Sequence, residues 1–290
     1  MDYFYHCSMN LVRLLLIVLS LAWLHLTGHS QQRKGFCGAK SIPIEQIRMM
    51  GIPSYSSCDV INRVDRTLQI SLHIAVDSLG ETKITDGQIE GALQQLNIDF
   101  APSGLQFVYC FRDTMLNNRF DSLSVYDDYN ESIQMTSIHF EPNTINLFLV
   151  DTLGVQDFPD VAGLAGAGGF VMIEKSAYAF GSKVQAHEFG HYFSLAHTFE
   201  SAGSELVDGS NCATAGDGIC DTAADPDPEG NADPLDQCNY TGSVVQDSNG
   251  DWYVPPTDNI MSYYPCAHRF TVGQYNQMIA FYLTALSYLW

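Results

Sequence analysis

HEFGHYFSLAHTF, residues 187 to 199, carries three histidines, His187, His191 and His197, with Glu188 directly after the first. Residues four apart on a helix share a face, so the imidazoles of His187 and His191 can hold one metal ion between them. Glu188 stands beside them, within reach of a water on that ion. His197 lies six residues beyond His191, and on a continued helix it would face elsewhere. For all three to converge, the chain must leave the helix near Ser194. Three histidines and one water complete a tetrahedral site with an open position, the form of a catalytic zinc. The five-residue His-Glu-x-x-His pattern alone is a weak signal, because His and Glu also meet by chance on helices.

A second stretch narrows the choice. NIMSYYPC, 259 to 266, follows about sixty residues later. The two together resemble the metzincin zinc endopeptidases, in which a methionine-containing turn underlies the metal. The finer resemblance is to the pappalysin family, the group that includes ulilysin-like enzymes. HEFGHYFSLAHTF, GDGICDT (216 to 222), NIMSYY and FTVGQ (270 to 274) are similar to that family's successive blocks, in order. LQISLHIAV (68 to 76) and the helix after it resemble the start of its catalytic domain, so the resemblance covers residues 67 to 290.

This resemblance implies His187, His191 and His197 as zinc ligands, Glu188 as general base and acid, and Met261 as the floor beneath the metal. It also implies that Tyr263 stabilises the tetrahedral intermediate. Each role is chemically sound: zinc polarises a carbonyl and acidifies water, a carboxylate shuttles the proton, and a phenol donates to a developing oxyanion. The plain reading of Met261 and Tyr263 is core packing. Ser194 departs from the family pattern, which has glycine where the helix ends at positive φ. A serine there costs ~1 kcal/mol. A strained turn is expected, rather than a lost site.

The rest of the first half reads as mixed strands and helices. Leu68, Ile70, Leu72, Ile74 and Val76 alternate with Gln69, Ser71, His73 and Ala75, which predicts a strand with His73 on its polar face, in a structural role. Thr85 and Gln88 form a capping box before Ile89, Ala92, Leu93 and Leu96, a helix signature. LQFVYCF (105 to 111), INLFLV (145 to 150) and FVMIE (170 to 174) read as strands, and GLAGAGG (163 to 169) as a loop. The half after His197 is rich in Asp, Gly, Pro and Cys, with Asn249-Gly250 as a hairpin turn and a last helix near 271 to 290. The fold class is α+β: an α/β-type upper subdomain with a mixed sheet and active-site helix, then an irregular, disulfide-stapled lower subdomain ending in a helix.

Composition bounds the function. The 290 residues carry a net charge of −20 with only 13 Lys and Arg, which excludes nucleic-acid binding as a default. LLLIVLSLAWLHL (14 to 26) after Arg13 has the form of a signal-peptide core, with cleavage near Ser30; an uncleaved membrane anchor is the alternative. Residues 1–30 are thus read as signal peptide, 31–66 as propeptide and 67–290 as catalytic domain. Secretion, and no membrane association after signal removal, are expected. Two sequons, at Asn130 and Asn239, could carry glycans.

Eight cysteines are present and Cys7 leaves with the signal, so seven remain. An odd number in an oxidising compartment suggests three disulfides and one thiol with another task. Spacing does not fix the pairing; Cys220–Cys238, Cys212–Cys266 and Cys58–Cys110 are the favoured set. Cys37, in GFCGAK (35 to 40), is a candidate switch. A thiolate in the open zinc position would displace the water and hold the enzyme latent until the leader is cut, with Arg63 and Arg66 as basic cleavage sites. Related zymogens use such a cysteine–glycine element, and the alternative is a Cys37–Cys58 loop. Seven acidic residues between Asp217 and Asp236 read either as a solvated loop or as a calcium site. The resemblance implies calcium, with Asp217 and Thr222 as side-chain ligands.

The leading reading is a secreted, zinc-dependent endopeptidase made as a latent zymogen and acting on proteins or peptides. A catalytically weak zinc-binding relative, serving as an extracellular binding or toxin module, is the alternative that Ser194 raises, although such a module has no need of Glu188. A calcium-dependent adhesion domain would leave the histidines unexplained.

Overall fold

A computed structural model describes residues 35–37, 43–52, 60–124, 129–155, 160–201, 203–226, 240 and 245–289. The signal segment, Cys58, Cys238 and the sequon at Asn239 lie outside these residues. No described helix is long and apolar enough to cross a membrane.

The architecture is α+β, built on a six-stranded sheet. Its strands are β1 (Gly35–Cys37), β2 (Arg66–Ala75), β3 (Leu105–Met115), β5 (Ile145–Val150), β7 (Val161–Ala165) and β8 (Phe170–Glu174), in the order β1-β7-β8-β5-β2-β3. Only β7 and β8 pair antiparallel; the other neighbours are parallel. Short β4 (Ser122–Ser124) and β6 (Thr152–Gly154) form a second ribbon. The helices are α1 (Ile44–Met49), α2 (Asp86–Phe100), α3 (Tyr129–His139), α4 (Val184–Tyr192) and α5 (Val272–Ala285). The Thr85–Gln88 capping box opens α2 as expected, and Thr271 with Gln274 does the same for α5.

The sheet is covered on both faces, as a mostly parallel sheet must be. Leu68, Ile70, Leu72 and Ile74 pack with α2, α4 and α5 in the main core. Ala75, Phe148 and Val150 face a second cluster with Met115, Phe120, Leu123 and Met135. This second layer corrects the reading of His73. Its side of β2 is not a polar surface, and His73 is fully buried. The loop expected at 163 to 169 is also shorter than read, because β7 runs through Ala165 before the turn at Gly166–Gly169.

The segment read as a propeptide is part of the packing. Ile47 and Ile52 belong to the main core, and the Ile44 side chain lies against Gly218. Arg66 is the first residue of β2, and just before it Asn62 N–H donates to Asn276 on α5.

Among its described residues the lower half is irregular until α5. Asn249-Gly250 turns as read: Gly250 sits at φ 90° and Gln246 bridges Trp252 antiparallel. The disulfides differ from the expected set. Cys212 pairs with Cys220, eight residues on, across a tight loop, so Cys220–Cys238 and Cys212–Cys266 do not form. The intervening glycines Gly216 and Gly218, both at positive φ, fold the chain back so that the two Cα atoms stand 5.0 Å apart, a normal disulfide span. Cys266 is also disulfide-bonded. Cys110 lies near Ser71 Oγ and the Ile70 carbonyl at a bulge in β3, and Cys58, its expected partner, lies outside the described residues.

Candidate metal centre and active site

All nine residues of α4 are buried, and the helix delivers His187 and His191 side by side. The Nδ1–H of His187 donates to the Ile260 carbonyl at 2.7 Å, and that of His191 to the Leu195 carbonyl at 2.8 Å. These bonds fix the tautomers and leave both Nε2 atoms as acceptors.

The turn after α4 brings in the third histidine. Ser194 adopts φ 76°, as the sequence predicted. Its N–H bonds the His191 carbonyl and the N–H of Leu195 bonds that of Gly190, which is the Schellman pattern of a helix C-terminus. Gln277 of α5 donates to the Ser194 carbonyl. His197 then returns so that its Nε2 lies 3.1 Å from Nε2 of His191, which is itself 3.1 Å from Nε2 of His187.

Three buried nitrogens converge here, two of them fixed as acceptors. Burial holds all three histidines neutral, His187 at a pKa of about 4 and the others well below their usual value, with His191 and His197 pushed down further by their neighbours. Lone pairs facing one another at this distance call for a cation. Tetrahedral bonds of about 2.0–2.1 Å would set ligands about 3.3 Å apart, so the set fits zinc. Cys37 of β1 joins the cluster, its Sγ and the three histidine nitrogens all lying within 4.8 Å of one another.

Glu188 is fully buried, and neither carboxylate oxygen meets an N–H or O–H donor among the described residues. Burial pushes its pKa up to about 8, against a weaker downward pull from Cys37. The backbone of β7 passes so close that a Cβ on Gly163 would stand 2.6 Å from Glu188 Oε1. Only glycine leaves the carboxylate its place, a requirement the sequence reading missed inside a glycine-rich run.

Met261 lies beneath α4, where a Cβ on Gly190 would meet its Sδ at 2.5 Å. Asn259 shapes this turn: its Oδ1 accepts from Met261 N–H, and its Nδ2 donates to Gln274. Tyr263 points its hydroxyl at the Cys37 carbonyl, 3.1 Å away, and at Nε2 of His197, 3.2 Å away. Asp225 is a further positioning residue that charge counting did not single out. One of its oxygens accepts from both Thr198 and Ser262, joining the residue after His197 to the residue after Met261.

Asp217 and Thr222 meet, the Thr222 hydroxyl donating to the Asp217 carboxylate. Burial raises Asp217 to about 7. Glu205, which the sequence reading did not single out, lies near Asp217 and Asp225 and is raised to about 8 by burial and their charges. One of its oxygens has no hydrogen-bond partner among the described residues. This acidic group does not bring three ligand atoms within 4.8 Å of one another.

Sequence comparison with known proteins points the same way as the geometry. Residues 156–282 match the model of a peptidase family described as pregnancy-associated plasma protein-A. An extracellular metalloprotease of Pyricularia oryzae is 26% identical over 230 residues, which cover 73% of each chain. Among solved structures, metalloproteinase-II from Bacteroides fragilis aligns at a TM-score of 0.32 and 14% identity, over 53% of this chain and 51% of that one.

Proposed function

We propose that this chain, which is a pappalysin-like metzincin and a zinc metalloendopeptidase, acts outside the cell on proteins or peptides and is held latent by its own leader. The observation that carries the reading is the convergence of three neutral histidines beside a buried Glu188 that meets no N–H or O–H donor among the described residues. Secretion is supported by the signal-like segment after Arg13 and by the extracellular relative.

In this reading His187, His191 and His197 hold the zinc, which when bound supplies a Lewis acid for the scissile carbonyl and its attacking water. Glu188 takes the proton from the attacking water and returns it to the leaving amine. Its dry pocket against Gly163 keeps the carboxyl basic enough to accept that proton. The Tyr263 hydroxyl donates to the carbonyl oxygen as negative charge develops there. Met261, held by Asn259, supports α4 from below, and the Ile260 carbonyl keeps His187 in the tautomer that binds metal.

Latency follows from β1. Gly35 and Cys37 pair with Val161 and Gly163 along β7, the edge at which an extended substrate would add as a strand. Cys37 meanwhile places its sulfur among the histidines and its carbonyl on the Tyr263 hydroxyl. One short strand thus covers the metal, the base and the tyrosine. Calcium binding near Asp217 and Thr222 is part of the proposal, supported by the buried carboxyls of Glu205, Asp217 and Asp225 gathered there.

The test is incubation of the zinc-loaded protein, before and after limited proteolysis, with a mixed peptide library, with Glu188→Ala as control. Defined internal cleavages that Glu188→Ala lacks are expected. If neither form of the wild type cleaves any peptide, the protein is the non-catalytic relative that the serine at 194 raised.

A further inference from the structure

A second group of metal-ligand atoms lies on the other face of β2, away from the active-site helix. His73 and Asp113 are partners in register on β2 and β3, and His139 closes α3. Nδ1 of His73 is 2.7 Å from one oxygen of Asp113, and Nδ1 of His139 is 2.7 Å from the other. His73 is fully buried and stacks on Phe148, while Asp113 and His139 keep partial access to solvent.

The proton positions are what make this cluster informative. The Asn146 amide is locked by its neighbours: its Nδ2 donates to the carbonyls of Glu141 and Thr144, and its Oδ1 accepts from Glu141 N–H. That same Oδ1 faces Nε2 of His73 at 3.1 Å, so Nε2 carries a proton. In a neutral imidazole Nδ1 then has only a lone pair, and it is aimed at a carboxylate oxygen. Nδ1 of His139 meets the other oxygen of Asp113, where a neutral N–H tautomer donates. The His73 contact needs a cation between its two acceptors, either a proton or a metal ion that leaves both rings neutral.

We propose that His73, Asp113 and His139 form a second zinc site, distinct from the catalytic one. The donor set of two imidazoles and a carboxylate suits a borderline ion such as zinc. Asn146 orients His73 through its distal nitrogen, as outer-shell partners of metal-bound histidines do. The solvent side of Asp113 and His139 admits a water as fourth ligand. Opening the two contacts from 2.7 Å to the spacing of about 3.3 Å that zinc ligands keep asks for a small movement, which the C-terminal residue of α3 can supply. By joining β2, β3 and α3, the ion would tie down the layer that covers this face of the sheet.

The full chain, saturated with zinc and dialysed, is expected to retain two zinc ions per chain by elemental analysis. Asp113→Asn and His139→Gln should each retain one, with unchanged far-UV circular dichroism, and Asn146→Ala should weaken the second site about 10- to 100-fold. Cobalt titration of the wild type needs no variant. The equivalent bound at the Cys37 site brings a sulfur charge-transfer band, and the other should add d–d absorption without one. A single zinc per chain in the wild type, or two in His139→Gln, overturns the proposal, as does cobalt saturation at one equivalent. These readouts count metal rather than activity, so their failure would leave the peptidase reading untouched.

Discussion

The hydroxyl of Tyr263 donates to the backbone carbonyl of Cys37 at 3.1 Å while lying 3.2 Å from Nε2 of His197. The Cys37 carbonyl oxygen therefore already sits beside the proposed metal ligands and on the hydroxyl proposed to serve a scissile carbonyl. If the hydroxyl acts mainly on the oxyanion, Tyr263→Phe in the proteolytically activated enzyme should lower kcat by about 10²–10³-fold and change KM little. Steady-state kinetics on one peptide decides it. An unchanged kcat would place oxyanion stabilisation elsewhere.

Glu188→Ala should keep zinc and fold yet lose about 10²–10⁴-fold or more in kcat/KM, because it removes the proton carrier and none of the ligands. Among the described residues neither carboxylate oxygen meets an N–H or O–H donor, so the substitution strands no such donor there. Zinc analysis and turnover, measured on the same sample, separate a lost base from a lost site. Near wild-type turnover would refute the assigned role.

Ser194→Gly should stabilise the protein by about 1 kcal/mol. Glycine accepts φ 76° without the left-handed penalty of an L side chain. The change also removes a buried hydroxyl that has no hydrogen-bond partner among the described residues, an unfavourable burial. The extra freedom of glycine in the unfolded chain offsets part of the gain. Thermal melts of both proteins, zinc-loaded, should show a higher Tm for the variant, and a clear fall would mean that the serine makes a compensating contact.

The sequence made the geometry at positions 187 to 199 legible, the convergence of the histidines and the positive φ at Ser194, because side-chain spacing and a broken helix are local properties. It also marked Thr85–Gln88 and the β5 run, where capping and hydrophobic patterns speak for themselves. What it hid was set by distant contacts. The requirement for glycine at 163 exists only because β7 passes Glu188, and His73 is buried only because α3 covers the far side of the sheet. Cys212–Cys220 depends on how Gly216 and Gly218 turn the chain, and pairing of this kind is not written in spacing. Alternation on β2 was read as one wet face, since a strand covered on both sides differs from a half-exposed one mainly in what the rest of the chain places over it.

In the lower subdomain, burial raises Glu205 to about 8 and Asp217 to about 7, whereas in the unfolded chain such carboxyls titrate near 4. The folded protein therefore holds protons that the unfolded chain releases. The stability they contribute is complete below about pH 4 and is lost as pH rises towards 8, by a few kcal/mol in order of magnitude. Glu205→Gln should flatten this decline; comparing the variant with wild type cancels the opposite pH trend of zinc binding. Calcium at the cluster would neutralise the same charges and so raise Tm more at pH 8 than at pH 5. Melting curves across pH, with and without calcium and at constant zinc, give both answers. Equal pH slopes in the two proteins would remove Glu205 as the source, and no calcium effect at either pH would remove the ion.

The leader gives the last prediction, because its two parts are held in different ways. Cys37 reaches His187, His191 and His197 from a three-residue strand, whereas Ile47 and Ile52, a few residues on, belong to the main core. A cut at Arg63 or Arg66, the sites that basic residues suggested, would open β2 at its first residue and the hydrogen bond from Asn62 to α5. A cut between Cys37 and Pro43, where Lys40 offers a basic residue, would release the thiol and leave α1 packed. N-terminal sequencing of the activated enzyme should therefore begin between residues 38 and 43. Cys37→Ala should be active without any cut, since alanine offers the metal no ligand and leaves the fourth position to water. If intact wild type and intact Cys37→Ala are equally latent, or if the zymogen contains a Cys37–Cys58 disulfide, the thiol does not hold the enzyme closed. An activated N-terminus beyond Arg63 would instead mean that α1 leaves with the leader and the core closes over its place.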